Sequence, residues 1–438
     1  MFYLIIVLFI AGYAAIAFER RLLIDKAAIA LVTGALIWIC IAFWGDVSHQ
    51  ELIEHLGGIG ELLFFLLGTM TIVEIIDCHG GFSMFSKLVK TSNKVKLLWL
   101  FSFITFFLSA VLGNLPATIV MITLMWKYIG GNYPRWFFAG MIVIAANAGG
   151  AWSPIGNITT IMLWIGERIS TWQIVMQLFV PSLLCMLVPL VIISLTMKGE
   201  AVPPPHAGSI KSLAPTTDRE RRIILLTGIG VLLLVPVFRT MTQLPPYMGM
   251  MLALAILWIM TEILHRKLKD FKIRLTLAEI LKKINIANIF FLLGILLAVA
   301  GLKTAGHLNL FGVFLDEKVH NIYAINIVIG ALSSVIDNVP LVAGTMGMFD
   351  AIPHDALIAI SDPAQAAFVK HFVTDGSFWE LLAYCAGTGG SILIIGSVAG
   401  IAAMGIAKID WKWYIKEMSW LALAGYLSGI AAYFLIAS

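Results

Sequence analysis

The chain has 438 residues, of which 60% are hydrophobic and only 12% are charged, and its net charge is +4. A soluble domain carries about 25% charged residues, so a chain this apolar must have lipid as much of its solvent. The small net charge gives no sign of nucleic-acid binding. The four cysteines stand singly and the nine histidines lie outside the apolar segments or at their ends. Neither a disulfide framework nor an intramembrane metal site is therefore indicated.

Twelve apolar stretches follow one another along the chain, each near or above the roughly 20 residues that cross a bilayer. Four of them are interrupted by polar, glycine or proline residues. Arg20 and Arg21 follow the first stretch instead of preceding it, which is typical of a retained first span and not of a signal peptide. The stretches are 1–18, 27–44, 58–77, 97–129 (interrupted), 136–166 (interrupted), 174–197, 222–240, 247–264, 286–303, 322–352 (interrupted), 379–407 (interrupted) and 413–437.

The positions of Lys and Arg predict the orientation, because cytoplasmic loops are enriched in positive charge. We take 97–129 and 322–352 as re-entrant hairpins, and 136–166 and 379–407 as single crossings with a break. The inside segments then hold 24 of the 29 Lys and Arg residues. We therefore expect a multi-pass protein of the bacterial inner membrane with both termini outside, in the periplasm. The inside segments are 19–26, 78–96, 127–136, 197–222, 265–285 and 408–416.

Three sequence blocks recur in the same order 224–240 residues later, which indicates an internal repeat. FFLLG at 64–68 recurs at 290–294, SAVLGNLP at 109–116 recurs as SSVIDNVP at 333–340, and the GG and IG pairs at 149–156 recur at 389–396. Each copy has five full spans and one hairpin, and an odd number of spans inverts the second copy. Inverted repeats with interrupted helices are the architecture of secondary transporters.

The predicted fold class is therefore an all-α polytopic membrane protein with two inverted-topology repeats. Each repeat has about five spanning helices, one re-entrant hairpin and one interrupted helix. The first repeat covers 1–197 and the second covers 222–438. A polar cytoplasmic linker at 198–221, which contains three consecutive prolines at 203–205, joins them.

The hairpins are broken at Asn114-Leu115-Pro116 and at Asn338-Val339-Pro340. A break leaves backbone groups unpaired, which is tolerated in a membrane only where protein or a water-filled cavity lines it. Each motif is explained either by a proline kink with an asparagine cap, or by an amide oxygen presented to a cation.

The second pair of breaks surrounds the glycine pairs of the two interrupted helices. Close helix packing explains the glycines, but not the neutral oxygen donors clustered beside them. Such donors suit a hard cation such as sodium or lithium. They are Asn147, Ser153, Asn157, Thr159, Thr160, Thr388, Ser391 and Ser397.

Asp337 is the acid that we expect to carry the chemistry. It lies in the middle of an apolar hairpin, where a charge costs about 2.5–3.5 kcal/mol on insertion scales. The alternative is a solvated tip outside the membrane. Burial favours the protonated form and a bound cation favours the charged form, so one carboxylate can exchange a proton for an ion. No Lys or Arg lies in the predicted core, and Glu74 and Asp77 are interpreted as a solvated helix end.

The segments 65–77, 147–164 and 333–348 resemble the NhaD-type sodium/proton antiporters of the ion transporter superfamily, and the resemblance covers nearly the whole chain. It implies a homodimer with a scaffold part and a mobile transport part that carries both hairpins. It also implies export of sodium or lithium in exchange for protons, without a cofactor. By motif position, it implies an ion pathway of Ser109, Asn114, Asn147, Thr159, Thr160, Ser333 and Asn338.

Two positions depart from the family pattern. This chain has Gly113-Asn114 where Asp-Asn is expected, and Gly156-Asn157 where Gly-Asp is expected, which leaves Asp337 as the one core acid. A site of neutral oxygens with one acid suits sodium/proton exchange, and also sodium-coupled symport of a small organic anion such as a dicarboxylate. The paired breaks argue against a receptor or structural protein. An enzyme is not expected, since no nucleophile–base pair, metal motif or phosphate loop is present.

Overall fold

The computed structural model describes residues 2–44, 49–199, 216–265, 276–319, 321–353, 357, 366 and 368–437. Within these ranges the chain is helical, with one isolated β-bridge between Ile352 and Val373 and no named strand. Most of the predicted linker lies outside the described residues, including the three prolines at 203–205. The same holds for 266–275 of the predicted inside segment 265–285.

The helices before the linker include four that are long and apolar enough to cross a bilayer, namely α3, α4, α5 and α9 below. They alternate with shorter helices that the interruptions produce. In chain order they are α1 (Phe2–Ala17), α2 (Glu19–Leu22), α3 (Lys26–Trp44), α4 (His49–Cys78), α5 (Lys94–Leu112), α6 (Asn114–Met125), α7 (Asn132–Ala151), α8 (Ile158–Ile165) and α9 (Thr171–Thr196).

The helices after the linker include four more helices of spanning length, α10, α11, α13 and α20. Eight such helices in the described ranges confirm the prediction of an all-α polytopic membrane protein. In chain order they are α10 (Asp218–Thr242), α11 (Pro246–His265), α12 (Leu277–Leu281), α13 (Ile286–Thr304), α14 (His307–Val319), α15 (Ile322–Leu332), α16 (Asn338–Met348), α17 (Ser377–Gly389), α18 (Val398–Ala407), α19 (Trp411–Glu417) and α20 (Ser419–Ala437).

All four predicted interruptions correspond to breaks between helices. The stretch 97–129 is the pair α5–α6 and the stretch 322–352 is the pair α15–α16, while α7–α8 and α17–α18 form the two broken helices. The hairpins differ in one respect that the sequence did not indicate. Helix α5 has 19 residues and α15 has only 11, although an asparagine caps the start of each: Asn93 accepts the Lys96 N–H at 3.0 Å, and Asn321 accepts the Tyr323 N–H at 3.0 Å.

The backbone differs at the breaks of the two predicted hairpins. Gly113 has φ of +91°, a conformation that L side chains rarely adopt, so the first tip depends on glycine. Asp337 has φ of −52° and ψ of 131°, and its carboxylate accepts the Val339 N–H at 3.1 Å, which caps α16. The missing carboxylate at residue 113 therefore accompanies a different backbone conformation.

The helices that carry the breaks pack crosswise. Helix α7 packs against α5, and α17 packs against α15. Helix α6 of the first hairpin contacts α18 of the second broken helix, and α16 contacts α8. The remaining long helices pack around these as the pairs α3–α13, α4–α11, α10–α11 and α9–α20. The four breaks are thereby brought to one region of the molecule.

Two matched glycines permit the close approach of the hairpins to the broken helices. A Cβ atom at Gly149 would overlap the backbone oxygen of Phe106 on α5, and one at Gly389 would overlap that of Gly330 on α15. Close backbone approach through small residues is a common way to pack helices in membranes.

We predict that Gly149→Ala lowers the free energy of unfolding by about 1–3 kcal/mol, because the methyl group forces α7 away from α5. A lower unfolding temperature of the detergent-purified protein would record this. Gly230 on α10 is the control, since a Cβ there meets no atom within 4 Å. Gly230→Ala should leave the unfolding temperature unchanged or raise it slightly, and an equal fall in both variants would contradict the packing argument.

Candidate functional site

Five buried side chains from four elements form a hydrogen-bonded network, here called the amide–hydroxyl cluster: Asn114, Asn147, Asn157, Ser391 and Ser397. The Asn114 Nδ2 atom donates to Asn147 Oδ1 at 3.0 Å and, more weakly, to Asn157 Oδ1 at 3.4 Å. The Asn147 Nδ2 atom donates to the hydroxyls of Ser391 at 2.9 Å and Ser397 at 3.0 Å. Each of these residues is at most 6% exposed.

The helix breaks place these side chains. Asn114 is the first residue of α6, and Asn147 lies on the last turn of α7. Asn157 caps α8 in a capping box with Thr160, and Ser397 caps α18 by accepting the Gly400 N–H at 3.0 Å. Ser391 lies in the break before α18. The cluster therefore exists because three breaks meet, and a continuous helix at any one of them would remove a member.

Two buried polar groups at the cluster lack hydrogen-bond partners among the described residues. They are the Asn157 Nδ2 atom and the Thr159 hydroxyl. Gly387 faces the Asn157 amide, since a Cβ atom on it would lie 3.3 Å from Nδ2. An unpaired buried polar group costs about 1–3 kcal/mol, which a structure retains where the group has another use.

The remaining neutral residues expected at the site bond to backbone near the breaks and not to the cluster. Ser109 donates to the Ala146 oxygen at 2.5 Å, and Ser333 donates to the Ala386 oxygen at 3.1 Å. These two bonds join matched positions, since 109 and 333 differ by 224 and 146 and 386 differ by 240. The others are Asn338 to Ala386 O (3.5 Å), Thr388 to Tyr384 O (2.7 Å), Thr160 to Asn157 O (2.8 Å) and Ser153 to Ala110 O (2.5 Å).

Asp337 stands apart from the cluster and is partly buried. It lines a cavity of about 470 Å³ together with Tyr13 of α1 and Lys26 of α3. Lys26 is a residue that the sequence analysis missed, and the expectation that no Lys or Arg lies in the core is wrong at this position. Its only signal was its place one residue before the apolar stretch 27–44, which identified it merely as an inside charge.

A small cavity of about 40 Å³ lies where the two hairpin tips and the two broken helices converge. Nine apolar residues line it, and four of these directly follow a polar residue at the start of a helix. The four are Leu115, Ile158, Val339 and Val398, which follow Asn114, Asn157, Asn338 and Ser397. These four residues, here called the apolar layer, share the cavity with Asp337, and three of them, Leu115, Ile158 and Val398, directly follow members of the cluster in the sequence.

A further cavity, of about 390 Å³, lies toward the other end of α13. The cavity beside Asp337 is lined by Phe291 near the start of this helix, and the further cavity by Lys303 near its end. Glu54, Glu61 and Arg168 also line the latter. Two cavities that contain charged residues thus approach the hairpins from opposite ends of one spanning helix.

Glu74 lies at the end of α4, where Lys283 is 3.8 Å from its carboxylate and Cys78 donates to it at 3.2 Å. Such a partly exposed ion pair contributes little to stability. This arrangement is that of a helix end, as interpreted from the sequence.

A polytopic helical protein whose broken helices gather buried polar groups at their ends is a membrane transporter. The chain belongs to the citrate transporter (CitMHS) family, whose sequence profile matches residues 13–369. The family is one of transporters, and the chain is a membrane transporter.

The chain is similar to several antiporters over almost its full length. It is 41% identical to sodium/proton antiporter 1 of Arabidopsis thaliana, over 97% of this chain and 71% of that protein. It is 40% identical to sodium/proton antiporter 2 of the same plant, over 97% of both chains. It is 29% identical to the Na(+)/H(+) antiporter NhaD of Vibrio cholerae, over 99% of this chain and 91% of that protein. The resemblance to the NhaD-type antiporters is therefore confirmed.

We predict that Asn147→Leu lowers the stability of the protein by about 1–3 kcal/mol, because the Asn114 amide and two serine hydroxyls lose their shared partner. Unfolding temperatures of the purified variants would measure this. Thr123→Val is the control, since that hydroxyl is exposed and bonds to Ile119 O within its own helix at 2.7 Å. Equal unfolding temperatures for wild type and Asn147→Leu would mean that the network contributes nothing.

Proposed function

We propose that this protein is a secondary active transporter that exchanges Na⁺ or Li⁺ for H⁺ across a membrane. The main support is the near full-length similarity to proteins named sodium/proton antiporters. The meeting of three helix breaks at a buried group of neutral oxygen atoms supports the same function. No cofactor enters this proposal, because the ions are the cargo.

The amide–hydroxyl cluster is the proposed cation site. In the present arrangement Asn114 points its amide nitrogen at the side-chain oxygens of Asn147 and Asn157. Rotation of that amide by about 180° would replace the donor with an oxygen, so that three amide oxygens converge. Oxygen ligands of this kind suit a hard monovalent cation. The hydroxyls of Ser391 and Ser397 hold Asn147 in place during the exchange.

Asp337 is the proposed proton carrier. It lines the large cavity and also the small cavity that the apolar layer lines. A cation in the cluster favours loss of its proton, and protonation removes the negative charge that helps to hold the cation. Ser109, Ser333, Asn338, Thr159, Thr160 and Thr388 line the proposed pathway or hold the breaks in shape.

Inverted repeats provide the two access states in this proposal. The proposed repeats cover 1–197 and 222–438, with the linker 198–221 between them. The crosswise contacts α6–α18 and α16–α8, and the matched bonds of Ser109 and Ser333, support the pairing. The cavities at opposite ends of α13 are the proposed entrances. By analogy with the antiporters that it resembles, we further propose a homodimer with a scaffold part and a moving part that carries both hairpins.

The alternative is sodium-coupled symport of a small organic anion, which the family description as citrate transporters favours. Arg21 and Lys26 line the cavity beside Asp337 and would attract an anion, but Glu19 and Asp337 line it as well. This balance of charge does not favour a di- or tricarboxylate. The names of the most similar relatives also favour exchange.

We predict that Asp337→Asn abolishes the dissipation of a pH gradient by added sodium or lithium in everted vesicles, because the amide cannot bind a proton. The vesicles should come from a host that lacks its own sodium/proton antiporters. Asp410→Asn is the matched control, since Asp410 caps α19 at the surface by accepting the Trp413 N–H at 3.3 Å. It should retain exchange.

Three other outcomes of this assay would contradict the proposal. Exchange that persists in Asp337→Asn would remove this acid from the mechanism. The absence of a response to any monovalent cation in the wild type would exclude exchange altogether. Sodium-dependent uptake of labelled citrate or succinate by the same vesicles, without sodium-driven proton movement, would support the symporter.

We predict that both termini lie outside, as the positive-inside rule requires. Expressed in a bacterial inner membrane, an alkaline phosphatase fused after residue 438 should be active, and a green fluorescent protein fused there should be dark. The same two reporters fused after Lys198, in the predicted cytoplasmic linker, should give the opposite result. Fluorescence at residue 438 would reverse the assigned orientation.

A further inference from the structure

Lys26 places a positive charge at the cavity that contains Asp337. The ammonium lies 4.4 Å from the centroid of the Phe291 ring on α13, a cation–π contact that holds the charge at the cavity wall. Lys26 and Asp337 together line both the cavity of about 470 Å³ and the small cavity between the hairpin tips. The lysine thus faces the acid across space that is large enough for a hydrated ion.

The other elements around Asp337 contribute few charges. Helix α1 contributes Tyr13, and α2 contributes Glu19 and Arg21, which lie toward the mouth of the cavity. Helices α6, α8 and α18 contribute Leu115, Ile158 and Val398, and α13 contributes Asn288 and Phe291, none of which carries a charge. Among the described residues that line the two cavities, Lys26 and Arg21 are therefore the sources of positive charge. The side chain of Arg21 is exposed.

In the proposed exchange cycle, the carboxylate of Asp337 carries a charge for part of the time. After the proton has left and before the cation has bound, the carboxylate is charged in surroundings that are mostly apolar. Burial of an unpaired charge is costly, and a nearby opposite charge reduces the cost. The ammonium of Lys26 is positioned to supply that charge. Its cation–π contact with Phe291 holds it at the cavity wall.

We propose that Lys26 is the internal counter-cation of Asp337, which stabilises the empty carboxylate and offsets the negative charge that helps to hold the transported cation in the cluster. This inference rests on the proposed exchange function, and on Asp337 as its acid. It assigns to Lys26 a positioning and selectivity role, and it predicts an effect on the pH profile that a purely structural lysine would not have.

The test is a set of Lys26 variants assayed in everted vesicles between pH 6.5 and 9.5, a range of about three units chosen to include the onset of exchange. In Lys26→Met the carboxylate loses its counter-charge and binds its proton more tightly. The pH at which exchange begins should therefore rise by about one unit. At alkaline pH, where the proton has left, the ammonium no longer offsets the carboxylate charge that helps to hold the cation, and the half-saturating sodium concentration should fall about threefold or more.

Three controls separate charge from shape. Lys26→Arg keeps the charge and should restore the onset pH to within a few tenths of a unit of wild type. Arg21→Met removes an equal charge from the exposed side of the same cavity, and should move the onset by much less than Lys26→Met. If Lys26→Met does not accumulate in the membrane, Lys26→Gln serves in its place, and its onset should move in the same direction.

An onset pH and sodium dependence in Lys26→Met and Lys26→Gln that match wild type would overturn the inference. So would an equal shift in Arg21→Met. Asp337→Asn is assayed alongside to separate the two proposals. Loss of exchange in Asp337→Asn together with unchanged Lys26 variants would overturn this inference alone, whereas exchange in Asp337→Asn would overturn both.

Discussion

A backbone interrupted inside a membrane must find partners for its freed peptide groups, and the rest of this structure depends on that constraint. Three of the four breaks meet it with the side chain that precedes the new helix. Asn157 caps α8, Asp337 caps α16 and Ser397 caps α18. The fourth break, before α6, has Gly113 at this position and no side-chain cap, and the next residue, Asn114, directs its amide into the cluster. Asn157 and Ser397 therefore serve both as caps and as members of the cluster, whereas the Asn114 side chain caps no helix.

The two halves of the chain contribute unequally to the amide–hydroxyl cluster. The first half contributes three amides to the cluster, whereas the second contributes two serines that hold Asn147. Gly387 occupies the position that corresponds to Asn147, and a Cβ atom there would lie 3.2 Å from Ala151 and 3.3 Å from the Asn157 amide nitrogen, so a larger side chain would require its neighbours to shift. The acid of the second half, Asp337, lines the small cavity with the apolar layer. Because of these differences between matched positions, the described residues form one such cluster, although the surrounding helices are arranged in matched pairs.

Much of this arrangement could be predicted from the sequence, because polar and glycine residues inside apolar stretches have few explanations in lipid. The four breaks and the residues that form the cluster were indicated by the positions of polar, glycine and proline residues in the apolar stretches and by their recurrence in the internal repeat. Which side chains meet could not be predicted. Ser333 and Ser391 are both serines beside a break, but one bonds to a backbone oxygen and the other to Asn147. Lys26 was not predicted for a related reason. A lysine at a helix start on the predicted inside needs no further explanation in the sequence, and only the fold brings Asp337 of the second hairpin to the same cavity.

The apolar layer beside the cluster and Asp337 explains how one acid could couple two ions without binding both. Leu115, Ile158, Val339 and Val398 line the small cavity that Asp337 also lines, and three of them directly follow members of the proposed cation site. Charges that face each other across apolar material interact far more strongly than they would through water. The acid need not be a ligand of the cation to sense it. In the proposed mechanism, where Gly113 and Asn157 replace the expected carboxylates, the coupling depends on Asp337, which acts on the cation without being one of its ligands. In such an arrangement the layer is as necessary as the acid, since water within it would screen the two sites from each other.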